Sequence, residues 1–192
     1  MTFTTKTLLF TSGFVILAIE FLGIRVVAPV AGLTTPVWAM LISTALAGSA
    51  VGYYLGGMLA DRLPKAKLHF IFLMGASLSL VAVPYLRAGV ALLLKGASPL
   101  MVTALTTAAL FAVPIVCLAA LTTYIIRLHV QSLQTVAQVH GDFFAWATIG
   151  SVVGTFMTTY LLIPMLTISD IFLALGGFVA LAGFLAIKTD EY

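Results

Sequence analysis

Residues 9–25 read LFTSGFVILAIEFLGIR, an apolar run that is interrupted by Glu20. A helix of about 20 apolar residues crosses the hydrocarbon core of a bilayer. An ionisable group there costs roughly 2.5–3.5 kcal/mol on insertion scales, so its side chain usually faces the protein interior or a wet cavity. The stretch therefore predicts a membrane-spanning helix with a buried polar site.

The composition extends this prediction to the whole chain of 192 residues. Hydrophobic residues make up 62% and charged residues 8%, against roughly a quarter charged in soluble domains. The net charge of +3 comes from basic residues near predicted helix ends rather than from one basic face, so no nucleic-acid partner is expected. We expect lipid to surround the protein.

Six apolar segments predict an all-α bundle that forms a single domain over residues 1–192. The segments are continuously apolar rather than alternating, which favours helices over a β-barrel. The N-terminal run is interpreted as a retained helix rather than a signal peptide. Residues 87–98 are expected to lie flat at the interface or to form an apolar loop. The predicted helices cover residues 7–31, 36–60, 68–86, 99–126, 141–163 and 168–187.

Polar residues mark the starts of the last two predicted helices. Asp142 is interpreted as an acidic charge at the N-terminus of the fifth helix, where the helix dipole favours an anion. Thr167 and Asp170 resemble an N-cap with an acidic first turn for the sixth helix.

The basic residues indicate the orientation of the bundle. Six spans place both termini on one side, and most basic residues flank that side. The positive-inside rule then puts both termini in the cytoplasm, with the bundle in the cytoplasmic (inner) membrane. The flanking residues on the terminal side are Lys6, Arg62, Lys65, Lys67, Arg127 and Lys188, and those on the other side are Arg87 and Lys95.

Glycines recur four residues apart in two of the predicted helices. Gly48, Gly52 and Gly56 share one face of the second helix, and Gly150 and Gly154 share one face of the fifth. Such stripes let two helix backbones approach closely. The stripes fit packing within the bundle, and they also fit a surface on which helices rock during transport.

Four residues are candidates for a binding site: Glu20, Arg25, Tyr53 and Tyr54. In the functional interpretation Glu20 binds a proton or a cation near the membrane midplane. In the structural interpretation its carboxyl group ties helices together. Arg25 lies about 140° around the helix from Glu20 and is near enough to the outer end to snorkel. No nucleophile with its base, carboxylate pair or metal-ligand set converges, so no enzyme activity, metal or cofactor is expected.

Residues 57–67 read GMLADRLPKAK and resemble the G-x-x-x-D-R/K-x-G-x-R/K-R/K loop of major facilitator superfamily transporters. That loop joins helices two and three on the cytoplasmic side. The resemblance implies a gating loop, and a solvated turn that only fixes topology is the alternative. Asp61 would lie at a helix C-terminus, where the helix dipole disfavours an anion. We therefore expect a basic residue of this loop or of another helix to pair with it. The implied gating residues are Gly57, Asp61, Arg62, Lys65 and Lys67.

A second resemblance covers almost the whole chain. Its residues include Ser12-Gly13, Glu20, Arg25, Ala28-Pro29, Trp38, Gly52-Tyr53-Tyr54-Leu55-Gly56-Gly57 and the run from Ile149 to Phe156. This pattern is similar to the membrane domain found N-terminal to spermidine-synthase-like domains. The family joins a transporter-like half to an aminopropyltransferase domain, and no glycine-rich loop after a strand marks such a domain here.

The resemblance implies a six-helix bundle equivalent to half of a major facilitator transporter. A lone half would leave its cavity open to lipid, so a homodimer is expected, with helices one and four near the shared interface. Two functions remain open. The dimer is a small secondary transporter, with a cationic amine as the implied substrate, or the bundle is a non-transporting anchor or assembly subunit for a separate soluble synthase.

Overall fold

The structure is a computed structural model that describes residues 2–62, 68–129 and 136–188. Within these ranges the chain forms helices joined by turns, and no strand. The fifth helix, α5, contains Val136–Met157, a π-helical turn at Thr158–Leu162 and a last α-helical turn at Ile163–Met165. The other helices are α1 (Phe3–Ala31), α2 (Thr35–Arg62), α3 (Leu68–Leu93), α4 (Pro99–His129) and α6 (Ile168–Lys188).

Six helices in the described part of the chain are long and apolar enough to cross a membrane. The shortest of these spans has 19 residues, which at 1.5 Å per residue extends about 28 Å. The hydrocarbon core of a bilayer is about 30 Å thick. The prediction of a membrane-embedded, all-helical bundle is therefore confirmed at the level of length and composition.

Residues 87–93 continue α3 as a helix, so the prediction that they lie flat or form a loop was wrong. The segment contains alanine and leucine, which are strong helix formers, and it extends α3 by about two turns. The Leu94 N–H donates to the Val90 carbonyl at 3.1 Å at the end of this extension. The chain then reverses at Gly96, whose φ of 90° favours glycine, and α4 begins at Pro99 as predicted.

The helix starts differ from the sequence prediction at α5 and agree with it at α6. Because α5 is already helical at Val136, Asp142 lies in its second turn and is exposed, so Asp142 is not the N-terminal charge that we predicted. At α6 the Thr167 hydroxyl accepts from the Asp170 N–H at 3.3 Å and donates to the Asp170 carboxylate at 2.7 Å. The predicted N-cap of α6 is thus confirmed.

A π-helical turn carries α5 past its predicted end at residue 163. The Ile163 N–H donates to the Thr158 carbonyl, a bond that spans five residues instead of four. Pro164 follows directly, and a proline ring clashes with the carbonyl four residues earlier in a regular α-helix. The wider turn offers a way around this clash, and the helix runs on to Met165.

The six helices are arranged around α1 and α4. The α2 helix packs along α4, α5 packs along α1, and α3 lies between α4 and α6. In their most apolar segments, 67% of α4 and 56% of α1 are buried within the chain, against 28% of α2 and 17% of α5. The α2 and α5 helices thus carry the larger exposed faces, and the placement of helices one and four near a subunit interface stays a prediction.

The glycine stripe of α2 packs against α4. A Cβ added at Gly52 would lie 2.6 Å from the carbonyl oxygen of Val116, and one added at Gly56 would overlap the backbone of Ala120. Gly48 is less crowded, because its added Cβ would lie 3.4 Å from the Ile115 side chain, an ordinary contact. Close packing through Gly52 and Gly56 is confirmed, whereas Gly48 leaves room for a methyl group.

The glycine stripe of α5 packs against α1 in the same way. Added Cβ atoms at Gly150 and Gly154 would overlap the carbonyl groups of Phe10 and Phe14. From the α1 side, a Cβ at Gly13 would overlap the Ala147 carbonyl of α5. Both stripes thus serve packing within one chain, and movement along them stays a prediction.

Candidate functional site

Glu20 lies three residues beyond the midpoint of α1, about 5 Å along the helix axis. Its side chain is half-buried. Within residues 2–62, 68–129 and 136–188 its carboxyl group makes no hydrogen bond and no ion pair. The helix–helix hydrogen bond of the structural interpretation is therefore not found there, and a polar group near mid-membrane has capacity for a ligand.

Tyr53 of α2 is the titratable neighbour of Glu20, and the two side chains are close enough to interact electrostatically. The position of Tyr53 is fixed by its backbone, because the Thr123 hydroxyl of α4 donates to the Tyr53 carbonyl at 3.2 Å. The crowded contact at Gly56, one turn further along α2, holds the same two helices together. A phenol and a carboxyl group from two helices thus lie near each other.

A cleft of about 120 Å³ lies between α1, α2, α4 and α5, and Tyr53 lines it whereas Glu20 does not. Glu20 comes one turn after Ile16 and Leu17 on α1, which both line the cleft. Polar groups hold its walls together. The Ser12 and Thr122 hydroxyls are 3.1 Å apart, and the Ser151 hydroxyl donates to the Gly13 carbonyl at 3.2 Å. The full lining is Ser12, Gly13, Ile16, Leu17, Tyr53, Thr122, Phe144, Ala147, Thr148 and Ser151.

The chemistry of this site suits a cation. An ionised carboxylate only accepts hydrogen bonds, and the faces of Tyr53 and Phe144 can attract a positive charge. No group of three or more metal-ligating side chains occurs among the described residues. A cleft of 120 Å³ is smaller than the roughly 300–1,000 Å³ of drug-sized ligand pockets, so it fits one end of a slender molecule.

The structure separates the four predicted binding residues. Glu20 and Tyr53 lie near each other, whereas Tyr54 has 72% of its surface exposed against 41% for Tyr53. Arg25 is exposed and lines a different cleft, nearer the end of α1 at Ala31. The structure does not bring Tyr54 and Arg25 together with Glu20: Tyr54 is rotated about 100° from Tyr53 on α2, and Arg25 lies about 140° around α1 from Glu20.

The predicted gating segment is described as far as Arg62, and Lys65 and Lys67 lie outside the described residues. Asp61 forms an ion pair with another helix, because the Arg127 guanidinium of α4 donates to its carboxylate at 2.8 Å. This contact joins the ends of α2 and α4. Arg62 is exposed, and a Cβ added at Gly57 would meet open space. The sequence predicted a cation beside Asp61, and in the structure that cation is Arg127.

We expect the Asp61–Arg127 ion pair to contribute less than about 1 kcal/mol to stability, because exposed pairs are screened by water. Its two side chains are 66% and 58% exposed. A double-mutant cycle of Asp61→Asn and Arg127→Gln, read by chemical unfolding in detergent micelles, measures the coupling. The cycle of Asp61→Asn with Arg62→Gln is the matched control and should give none. A coupling above about 2 kcal/mol would contradict the assignment of an exposed pair.

Sequence reasoning missed the wall that α5 contributes to the cleft. Phe144, Thr148 and Ser151 line it from one helix face. Their spacing of four and three residues carries the signal, since such residues lie on one side of a helix. The interpretation of α5 centred instead on its glycines, which lie on the face packed against α1.

No protein-family model, no curated protein and no solved structure matches this chain, so the site stands on its own geometry.

Proposed function

We propose that the protein is a small secondary transporter, built as a dimer of six-helix units, that binds a cationic amine at Glu20. The observation that carries the proposal is the half-buried Glu20 carboxyl near the middle of α1, which has no cationic partner among the described residues. A carboxyl group at that depth is costly and marks a functional site by default. Transporters place their substrate and ion sites at this level.

The surroundings of Glu20 support an amine as the ligand. An ammonium group can donate to the carboxylate while its methylene chain lies along the apolar side chains of Ile16 and Leu17. Tyr53 and Phe144 add ring faces that favour a cation. A cationic amine is also the substrate class that we expected from the sequence resemblance to the membrane domain of spermidine-synthase-like proteins.

The exposed faces of α2 and α5 support the dimer. These two helices flank the cleft and are the least buried of the six spans in the described chain. A second copy related by a twofold axis would cover the open side of the cleft and shield Glu20 from lipid. The two copies would then correspond to the halves of a major facilitator transporter, with the termini cytoplasmic as the positive charges suggest.

The alternative is an anchor for a soluble synthase, with a docking face around Arg62, Lys67 and Arg127. The described part of that face supports the anchor less than the transporter, because Arg127 already forms an ion pair with Asp61. Arg62 is exposed, and it is the described residue on which that alternative now depends.

Uptake into proteoliposomes tests the transporter. We expect saturable uptake of a labelled linear diamine or polyamine that protein-free liposomes lack. Uptake should be competed by unlabelled amines and not by the alcohols that replace each ammonium group with a hydroxyl. Absence of both uptake and binding across the amine series would overturn the proposal and favour the anchor.

A further inference from the structure

A second cleft, of about 260 Å³, lies between α1, α3, α4 and α6 at the end of the bundle where α1 finishes. Arg25 of α1 and Arg87 of α3 both line it. Among the described residues that line this cleft, two are basic and none is acidic. Neither arginine makes a hydrogen bond or an ion pair within the described part of the chain.

The two arginines lie at similar distances from the midpoints of their helices. Arg25 is about 12 Å from the midpoint of α1, and Arg87 is about 10 Å from the midpoint of α3. The hydrocarbon core extends about 15 Å from the bilayer centre. Both guanidinium groups can therefore reach the interface between hydrocarbon and headgroups while their stems remain beside apolar residues.

The nearest acidic group along α6 does not neutralise this pair. Ile168 lines the cleft and Asp170 follows two residues later, but the Asp170 carboxylate accepts from the Thr167 hydroxyl. Within the described residues Asp170 forms no ion pair with either arginine. Two positive charges thus line one cleft, and no acidic residue of the described chain lines it with them.

We propose that the Arg25–Arg87 cleft binds a phosphate group. Guanidinium groups pair with phosphate oxygens through two parallel hydrogen bonds, and two arginines can hold one phosphate from two sides. The remaining lining is almost entirely apolar, with Val30, Ala91 and Val102 among its members. This combination fits a phosphate ester, such as an anionic lipid headgroup with its acyl chain along the apolar wall, or a small free phosphate.

The site is independent of the proposed amine transport. It lies on another part of α1 from Glu20, shares no lining residue with the first cleft, and carries a charge opposite to that of Glu20. Failure of amine binding would leave the phosphate proposal standing, and failure of phosphate binding would leave the amine proposal standing.

Thermal unfolding of the purified full chain in detergent tests the proposal with four probes: phosphatidylglycerol, diacylglycerol with the same acyl chains, inorganic phosphate and glycerol 3-phosphate. Phosphatidylglycerol should stabilise the protein and diacylglycerol should not. Arg25→Gln and Arg87→Gln should each weaken binding about tenfold or more, because each removes a charge-assisted contact. Stabilisation by phosphatidylglycerol alone identifies a lipid headgroup site, and stabilisation by either soluble phosphate identifies a small-anion site.

Lys95→Gln is the matched control, since Lys95 is a cation at the same end of the bundle that is exposed and is not among the residues lining the cleft. Its variant should bind as the wild type does. Arg25→Lys and Arg87→Lys keep the charge and lose the paired geometry, so they should weaken binding less and they serve if a glutamine variant does not fold. Binding that is equal in wild type and arginine variants, an equal loss in Lys95→Gln, or no binding of any phosphate probe would overturn the proposal.

Discussion

Glu20→Gln is expected to abolish stabilisation of the protein by amines and to leave the ligand-free fold intact. Glutamine keeps nearly the same volume but cannot carry the negative charge that pairs with an ammonium group. The ligand-free protein should not lose stability, because Glu20 makes no hydrogen bond or ion pair within the described residues that the substitution would break. Removing a charged group from the apolar region also lowers the cost of desolvation.

The expected size of this effect is large enough to measure by thermal unfolding. An amine at 100 times its dissociation constant stabilises the folded state by about 2.7 kcal/mol. Loss of one partner of a buried charge pair costs about 2–5 kcal/mol of binding. A 100-fold weaker affinity would leave about 0.4 kcal/mol of stabilisation at the same amine concentration. The shift in midpoint should therefore almost vanish.

Asp142→Asn is the matched control, because it removes a carboxylate from an exposed position on α5. Its response to amines should equal that of the wild type. Tyr53→Phe should retain part of the response, since the ring remains and only the hydroxyl is lost. An undiminished amine response in Glu20→Gln would remove Glu20 from the site and with it the main support for the proposed function.

The helices could be predicted from the sequence because a run of apolar residues is a local property. The predictions that failed concerned the residues that flank the apolar runs. Residues 87–93 are helical although a charge, Arg87, opens them, and the start of α5 precedes the apolar run by several polar residues. The π-helical turn before Pro164 arises from hydrogen-bond register, which no pattern of apolar residues records.

The candidate site was predicted only in part, because the rotation of each helix about its own axis decides which side chains lie near one another. Glu20 could be identified from the sequence because a charge in an apolar helix is costly. Tyr53 and Tyr54 are adjacent and chemically identical, so the sequence alone does not show which of them lies near Glu20. The packing of Gly52 and Gly56 on α4 leaves Tyr53 near Glu20 with 41% of its surface exposed, and Tyr54 more exposed at 72%. The pairing of Arg25 with Arg87 likewise depends on α1 and α3 bordering one cleft.

The same dependence on glycine packing leads to the second large effect, which concerns the α1–α5 seam. Gly154→Val should lower the free energy of unfolding by about 3 kcal/mol, at the upper end of the usual cost of overpacking. A Cβ at position 154 would lie 2.8 Å from the Cα of Phe14, and backbone atoms cannot move aside as a flexible side chain can. The two helices would have to separate, and α5 would carry Thr148 and Ser151 away from the cleft.

Gly141→Val gives the matched control for this substitution, because it lies on the same helix and an added Cβ there meets open space. Its unfolding free energy should stay within about 0.5 kcal/mol of the wild type, as for most surface substitutions. Chemical unfolding of both variants in detergent micelles measures the difference. Equal stability of Gly154→Val and Gly141→Val would show that the seam between α1 and α5 can open at little cost. That result would favour the interpretation of the stripe as a surface for rocking, since a seam that tolerates a valine is not a fixed contact.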